Sequence, residues 1–334
     1  MKQEKSESKR LIPVYLQQLF LERTDKDHYI RMPQILSFLE TKGIYADRRT
    51  IYSAISILNS AEFEIVGIQE KGNYKYHHPT RMFSINELKF LIDSVATSKF
   101  LTGKKSKELI EKIKALGSKY NRESLDRNII LGNRIKSMND KVLKNLDDIH
   151  GAISTNRRIA FQYMRWTPEK KLIYSREGEK YFVSPFAVTL CDNNYYLIAF
   201  DNKHQDIRHY RIDKMRTVNI SDDPREGMEE YKQFNVIDYM QKTFGMFGGK
   251  EETVRLTCKN HLAGVFIDRF GDSVSIRPDF NNSTMFIARV TVNVSPQFYS
   301  WIFALGTDVK ILSPQSVIDD FIIMIESVLK SYRK

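Results

Sequence analysis

Apolar residues recur at helical spacing three times within the first sixty residues. Residues 11–21 repeat them every three or four positions, as in a helix with one face in a core. A second helix is predicted over 32–40, with Pro33 in its first turn, where a missing N–H does no harm. A third is predicted over 48–59, with Asp47 as its N-cap. A hairpin is then predicted from the apolar stretches 63–68 and 74–77.

Three short helices followed by a hairpin, within about 80 residues, are the layout of a winged helix-turn-helix. The outward side of the third helix carries arginines and small polar groups, which suit phosphates and base edges in a major groove. An ordinary helical subdomain with solvated arginines would show the same pattern. We assign residues 1–80 to this domain. The residues expected to contact DNA are Arg48, Arg49, Thr50, Tyr52, Ser53, Lys71 and Lys75.

Residues 81–150 are predicted to be a helical linker. Ser84 and Glu87 have the spacing of a capping box at a helix start, and further helices are expected over 105–116 and 137–154. The segment is rich in lysine. It connects the first domain to the next. Contact of its lysines with DNA and a role as a spacer or dimer surface are equally consistent with the pattern.

From residue 159 onward, apolar and polar residues alternate along the chain, which indicates strands. Five short strands within about 60 residues predict a small curved β-barrel over 151–222. After an acidic connector, 221–230, the order strand, helix, strand, strand, helix, strand predicts a ferredoxin-like domain over 223–334. The predicted barrel strands are 159–163, 179–183, 186–190, 195–200 and 208–212. The predicted fold class is therefore α+β, with several domains.

The formal net charge of +11 is concentrated in the middle of the chain. An excess of this kind favours a polyanionic partner, because neutralised phosphates release their counterions. A solvated lysine-rich helix would give the same count. Cys191 and Cys258 lack the spacing of a disulfide framework or a zinc site. With no apolar run long enough to cross a membrane, we expect a cytoplasmic protein without a membrane partner.

Four blocks of the alternating region resemble WYL domains. They are 161–163 (FQY), 184–186 (SPF), 194–198 (NYYLI) and 207–215 (IRHYRIDKM), with Tyr195 in place of the usual tryptophan. Residues 254–256, 301–306 and 309–314 resemble the C-terminal extension of such proteins, which implies a homodimer. Residues 43–59 resemble the recognition-helix segment of a large group of bacterial regulators. Ser53 and Ala54 depart from that pattern, so no base preference is carried over.

The resemblance implies an Sm-like (SH3-like) barrel that binds a nucleotide or a single-stranded nucleic acid. Arginine suits phosphate because its planar fork donates two hydrogen bonds, and a tyrosine ring can stack on a base. Strand alternation places Arg208 and Arg211 on opposite faces unless twist or a bulge re-aims Arg208. The tyrosines would equally suit a core, Ser184 a turn cap, and Arg211 a pair with Asp213. The expected effector ligands are Arg208, Arg211, Ser184, Tyr163, Tyr195 and His209.

Three functions remain open at this stage. The first is a homodimeric transcriptional regulator, with a role in antiviral defence implied by the resemblance, whose binding to double-stranded DNA responds to the effector. The second is an RNA- or single-strand-binding module that acts through the barrel and tolerates deletion of residues 1–80. The third, an enzyme, is disfavoured because we find no Gly-rich phosphate loop, nucleophile motif or metal-ligand cluster. We expect no cofactor, no metal and no catalytic residue.

Overall fold

The computed structural model describes residues 9–126, 136 and 139–333, and the chain divides into two units, 1–140 and 141–334. Residues 137–138 of the helix predicted over 137–154 lie outside the described residues. The prediction of a mixed α+β chain is confirmed, because both units combine helices with antiparallel sheets. Within the described ranges, no helix is long and apolar enough to span a bilayer.

The first unit begins with three helices and a three-stranded antiparallel sheet of order β1-β3-β2. Phe20, Ile35 and Ile51 are fully buried, one from each helix, and they join the helices into one core. Burial of such side chains contributes about 1.5–3 kcal/mol each. The short first strand was not predicted from the sequence. The elements are α1 (Ile12–Arg23), β1 (Ile30–Arg31), α2 (Met32–Thr41), α3 (Arg48–Ser60), β2 (Val66–Glu70) and β3 (Asn73–His77).

A second group of helices completes this unit. Ser84 and Glu87 form the expected capping box, in which each side chain accepts a hydrogen bond from the other residue's backbone N–H. Leu88, Ile92 and Leu125 form a small core of their own. The helices are α4 (Ile85–Thr97), α5 (Gly103–Lys114) and α6 (Lys119–Leu125).

A buried hydrogen bond attaches α6 to the loop after α1. The Ser118 hydroxyl caps α6 and donates to Asp25 Oδ2 at 2.6 Å, and both residues are buried. The His28 ring stacks on Tyr120 with centroids 3.6 Å apart. Burial would raise the pKa of Asp25, but hydrogen bonds from Ser118 and His28 outweigh it and leave that pKa lowered. The carboxylate therefore stays charged and holds the two segments together.

The second unit begins with a helix and a strongly bent antiparallel sheet of order β5-β4-β6-β7-β8, with β9 also paired to β4. The strands predicted over 179–183 and 186–190 form one strand, whose register shifts between Pro185 and Ala187. Strand β9 was not predicted, and it includes the first residues of the supposed acidic connector. The elements are α7 (Val142–Ser154), β4 (Arg157–Trp166), β5 (Leu172–Tyr174), β6 (Tyr181–Cys191), β7 (Asn194–Asp201), β8 (Asp206–Arg211) and β9 (Met215–Pro224).

Two short helices lead into a four-stranded antiparallel sheet of order β11-β12-β10-β13. Its core contains Leu256, Phe266 and Phe298, and three helices contribute to that core on one face of the sheet. The strand and helix order agrees with the predicted one. The elements are α8 (Met228–Gln233), α9 (Val236–Lys242), β10 (Lys250–Lys259), α10 (Ala263–Phe270), β11 (Ser275–Pro278), β12 (Met285–Val294), α11 (Pro296–Ala304), β13 (Val309–Ser313) and α12 (Gln315–Tyr332).

Candidate functional site

The outward side of α3 presents two exposed arginines. Arg48 and Arg49 occupy its first turn, and within the described ranges neither has a carboxylate partner. Tyr52 and Ser53 are also exposed. Thr50 has a different role, because both its N–H and its hydroxyl donate to Asp47 Oδ1, at 2.8 and 3.0 Å. The first turn of the helix therefore offers a basic surface that is not paired with any carboxylate of the described ranges.

The two lysines of the hairpin differ in their surroundings. Lys71 lies at the turn with φ of 48° and is exposed. The Lys75 ammonium group lies 3.3 Å from Glu70 and 4.5 Å from the centroid of the Tyr29 ring. Lys75 also lines a cavity of about 480 Å³ together with Arg31, which the sequence reasoning did not select. Only Lys71 is thus presented at the tip of the hairpin.

The second unit contains a cavity of about 810 Å³ beside the edge strand β8. One wall is β8, and α8 and α9 contribute to another. Its lining includes two arginines and two carboxylates, so that its charge is mixed. The residues that carry its chemistry are Tyr163, Arg176, Tyr181, Asp206, Arg208, His209, Tyr210, Glu230, Phe234 and Tyr239.

Three of the four tyrosines that line the cavity, Tyr163, Tyr181 and Tyr210, form one cluster, with ring centroids 5.9–6.1 Å apart. Tyr210 donates to Asp201 Oδ2 at 2.7 Å, and the Tyr163 hydroxyl accepts from the Arg211 backbone N–H at 3.1 Å. Burial raises the pKa of Tyr163 to about 12 and also raises that of Tyr210. Tyr163 and Tyr210 are therefore neutral at physiological pH. Together with Tyr181 they give the cavity an aromatic wall.

Arg208 and Arg176 are the two arginines of the cavity. The Arg208 side chain is 41% exposed, and its Nε lies 3.9 Å from Asp201 Oδ2, an oxygen that already accepts from Tyr210. The Arg176 guanidinium lies 4.5 Å from the centroid of the Tyr181 ring. Arg176 was not among the residues selected from the sequence. No motif marked it, because a turn and a strand from different parts of the chain bring it to the cavity.

Arg211 does not join Arg208 in the cavity. Its guanidinium donates to both carboxylate oxygens of Asp213, at 3.0 and 2.8 Å, and to Asn194 at 2.8 Å. The hydrogen bond with Asp213 raises the pKa of Arg211. The structure thus gives Arg211 a partner within the chain, where the sequence reasoning preferred a phosphate.

Two further predicted ligands lie apart from the cavity lining. Ser184 is fully buried, and its hydroxyl accepts from the Glu226 backbone N–H at 2.8 Å. That bond ties β6 to the chain before α8. Tyr195 is half-buried on β7 and is not among the residues that line the cavity. Of the six residues predicted to bind the effector, the cavity brings together Tyr163, Arg208 and His209.

His209 packs in the cavity wall with a neutral ring. Its ring stacks on Tyr239 with centroids 4.7 Å apart, and Phe234 lies 5.8 Å away. Burial lowers the pKa of His209 to about 4. The folded protein therefore leaves this ring uncharged at neutral pH, so it offers a surface for stacking rather than a cation.

This burial predicts a pH dependence of stability. Below its ordinary pKa of 6.5, His209 takes up a proton in the unfolded chain, while the folded protein resists protonation down to about pH 4. The unfolded state thus binds more protons, and the contribution of His209 to the free energy of unfolding falls by about 2 kcal/mol between pH 7 and pH 5. His209→Phe keeps the stacked ring and should remove this contribution.

Denaturant unfolding at pH 7 and at pH 5 measures this contribution to the free energy of unfolding. The fluorescence of Trp166 and Trp301, which both lie in this unit, reports on unfolding. Exposed His150→Gln is the control and should keep the wild-type pH dependence. An equal loss of stability in the wild type and His209→Phe would contradict the prediction.

Comparison with known proteins identifies two domains. A WYL domain model matches residues 144–220 and a WCX domain model matches residues 250–329. Among solved structures, the chain is similar to proteasome accessory factor B/C (PafBC) of Arthrobacter aurescens, at 16% identity and a TM-score of 0.29, over 98% of this chain and 49% of that chain. It thus spans about half the length of PafBC. A structure described as a CRISPR Cas-related protein is similar at 13% identity and a TM-score of 0.26, over 89% and 76%. No curated protein matches.

Proposed function

The chain carries a WYL domain and a WCX domain, and from that premise we propose that it is a DNA-binding transcriptional regulator controlled by an effector. The observation that carries the proposal is the outward side of α3, where Arg48 and Arg49 are exposed and no carboxylate among the described residues pairs with them. We interpret the first three helices with their sheet as a winged helix-turn-helix. In such a domain the recognition helix enters the major groove and its first turn approaches base edges and phosphates.

The DNA-binding half of the proposal is tested with the purified full-length protein. Fluorescence anisotropy should show tighter binding to duplex DNA from its own promoter region than to random duplex at the same salt concentration. Equal affinity for the two duplexes would contradict the proposal. Binding that survives deletion of residues 1–80 would instead favour the single-strand-binding alternative.

We further propose that the WYL domain is an Sm-like barrel whose cavity holds the effector, a nucleotide or a fragment of single-stranded nucleic acid. The tyrosines and His209 support this assignment because they provide flat surfaces on which a base can stack. Arg176 and Arg208 are the cations that would hold phosphate. Mass spectrometry of nucleic-acid fragments or small anions that co-purify with the protein tests the class of effector.

Substitutions in the cavity should separate effector binding from operator binding. Arg176→Gln and Arg208→Gln each remove one phosphate ligand, and each should weaken binding of a labelled single-stranded oligonucleotide about tenfold, since a charge-assisted hydrogen bond contributes about 1.5–3 kcal/mol. Operator affinity without oligonucleotide should stay within a few fold of wild type. Anisotropy measures both quantities. Exposed Arg165→Gln on β4 is the matched control. Loss of operator binding in the cavity variants would contradict the assignment of this cavity as a sensor.

For the C-terminal domain we propose a ferredoxin-like fold and a role in forming a homodimer. The strand order β11-β12-β10-β13, with helices on one face, supports the fold. Light scattering of the purified chain tests the oligomeric state, and a monomer at micromolar concentration would contradict the dimer.

A further inference from the structure

The C-terminal sheet has an outward face that lies opposite its core helices α10, α11 and α12. Along β10, the even-numbered residues Val254, Leu256 and Cys258 are fully buried, whereas Thr253 and Arg255 are exposed. Strand β12 alternates in the same phase, with its even-numbered residues in the core. The core helices therefore pack on one side, and the odd-numbered residues of β10 and β12 form the outward face.

Strand register aligns cations on this face in two rows. In the first row, Ser275, Arg289, Arg255 and Ser313 follow one another across β11, β12, β10 and β13. In the second row, Arg277, Ile287, Thr257 and Lys310 occupy the same four strands. The three arginines and the lysine are exposed.

The direct pairing of Arg255 with Arg289 is unfavourable in the protein alone. Residues opposite each other on antiparallel strands have Cβ atoms about 4.5–5.5 Å apart, and like charges there destabilise the sheet. Across the described residues, no carboxylate lies within 4.0 Å of either guanidinium to offset the repulsion. An anion bound between the two guanidinium groups would attract both of them and offset their mutual repulsion.

The chemistry of the two rows selects phosphate groups. Each guanidinium can donate two parallel hydrogen bonds to phosphate oxygens, and Ser275 adds a hydroxyl donor beside Arg289. Neither row contains an aromatic residue on which a base could stack. Contacts to the phosphodiester backbone, which do not depend on base sequence, are therefore favoured over contacts to bases.

A groove next to the rows favours a single strand over a duplex. Arg289 and Ser275 line a cavity of about 890 Å³, of which α9 forms another wall. The Asp238 carboxylate in that wall is paired with Lys242. The groove shares no lining residue with the effector cavity beside β8. A flexible single strand can place phosphates in a cavity of this volume, whereas a stiff duplex is too bulky to enter it.

From this juxtaposition we propose that the outward face of the C-terminal sheet is a second nucleic-acid site, which binds the phosphodiester backbone of a single strand through Arg255, Arg289, Arg277 and Lys310. It is distinct from the recognition helix and from the effector cavity. The WCX domain would then bind nucleic acid in addition to its proposed role in forming a homodimer.

The test uses the full-length Arg176→Gln, Arg208→Gln protein as its parent, because these substitutions weaken single-strand binding in the effector cavity. It measures the affinity of this parent and its variants for a short labelled single-stranded oligonucleotide of mixed sequence as a function of salt. The double variant Arg255→Gln, Arg289→Gln should bind about tenfold more weakly at low salt. Its log–log salt dependence should be shallower by about 1.4, since each neutralised phosphate of a single strand contributes about 0.7. Arg255→Lys, Arg289→Lys keeps both charges and should keep the slope of the parent protein.

The matched control is Lys330→Gln, Arg333→Gln, which removes one exposed cation from the last turn of α12 and one from the residue after the helix. It should leave affinity within twofold. If the first double variant fails to fold, Arg277→Gln, Lys310→Gln tests the second row in the same way. Competition with inorganic polyphosphate distinguishes a general phosphate site from one that needs a nucleic-acid chain.

Two outcomes would overturn the proposal. The first is an unchanged affinity and salt slope in Arg255→Gln, Arg289→Gln. The second is a change of mass in light scattering of that variant, which would assign the face to contact between two copies of the chain. Both are independent of operator binding, so that failure here leaves the proposed function standing and failure of duplex binding leaves this site testable.

Discussion

Replacing Arg48 and Arg49 together with glutamine should lower the affinity for promoter duplex by about 100-fold or more. A well-placed arginine contributes about 1–3 kcal/mol at a base edge, and 1.4 kcal/mol corresponds to a tenfold change in affinity. The position of the two residues also argues for a binding role. They occupy the first turn of α3, where a positive charge opposes the helix dipole, so glutamine should leave the fold intact or slightly more stable.

Anisotropy with promoter duplex measures the loss, and circular dichroism verifies that the variant is folded. The matched control is again Lys330→Gln, Arg333→Gln, which removes the same charge from the other unit. An affinity of the Arg48→Gln, Arg49→Gln variant within twofold of this control would show that α3 does not enter the groove.

Gly227→Ala should reduce the free energy of unfolding of the second unit by about 2–5 kcal/mol. Gly227 has φ of +76°, a left-handed conformation that costs other residues about 1–2 kcal/mol. An added Cβ would also lie 2.6 Å from Phe200 Cβ and closer still to its ring. Phe200 is 2% exposed and cannot swing away, so overpacking adds about 1–3 kcal/mol.

Denaturant unfolding with tryptophan fluorescence measures this loss. Gly264→Ala is the matched control, because its added Cβ meets no atom within 4 Å and it lies within α10, where alanine is favoured by about 0.5–1 kcal/mol. The two substitutions should thus change stability in opposite directions. Equal stability of Gly227→Ala and the wild type would mean that α8, which begins at Met228, can move freely away from β7.

The features predicted well from the sequence are those set by local chemistry. Asp47 caps α3 as expected, and the helix ends at Ser60, one residue beyond its predicted end. The capping box at Ser84 is likewise a matter of three neighbouring residues. In these cases the signal and the structure lie within a single helical turn, so no knowledge of distant contacts is needed.

Pairings between distant residues were harder to predict. Strand β9 was not predicted because its last residues are acidic and its partner, β4, lies some 60 residues earlier. Arg176 was not selected because its approach to Tyr181 depends on the path of a turn. By contrast, the pair of Arg211 with Asp213 was considered from the start, since the two residues are only two positions apart. Strand alternation also separated Arg211 from Arg208, although it could not rank the two arginines as ligands.

The hydrogen bond between Ser118 and Asp25 affects how the segment that contains α1 to β3 can be isolated. A fragment cut near residue 80 would leave the Asp25 carboxylate without its hydroxyl donor and would strip the Tyr120 ring from His28. It would also discard the small core around Leu88. The smallest fragment that keeps these partners extends past Leu125. Helices α4, α5 and α6 are therefore needed for the stability of the segment that contains α1 to β3.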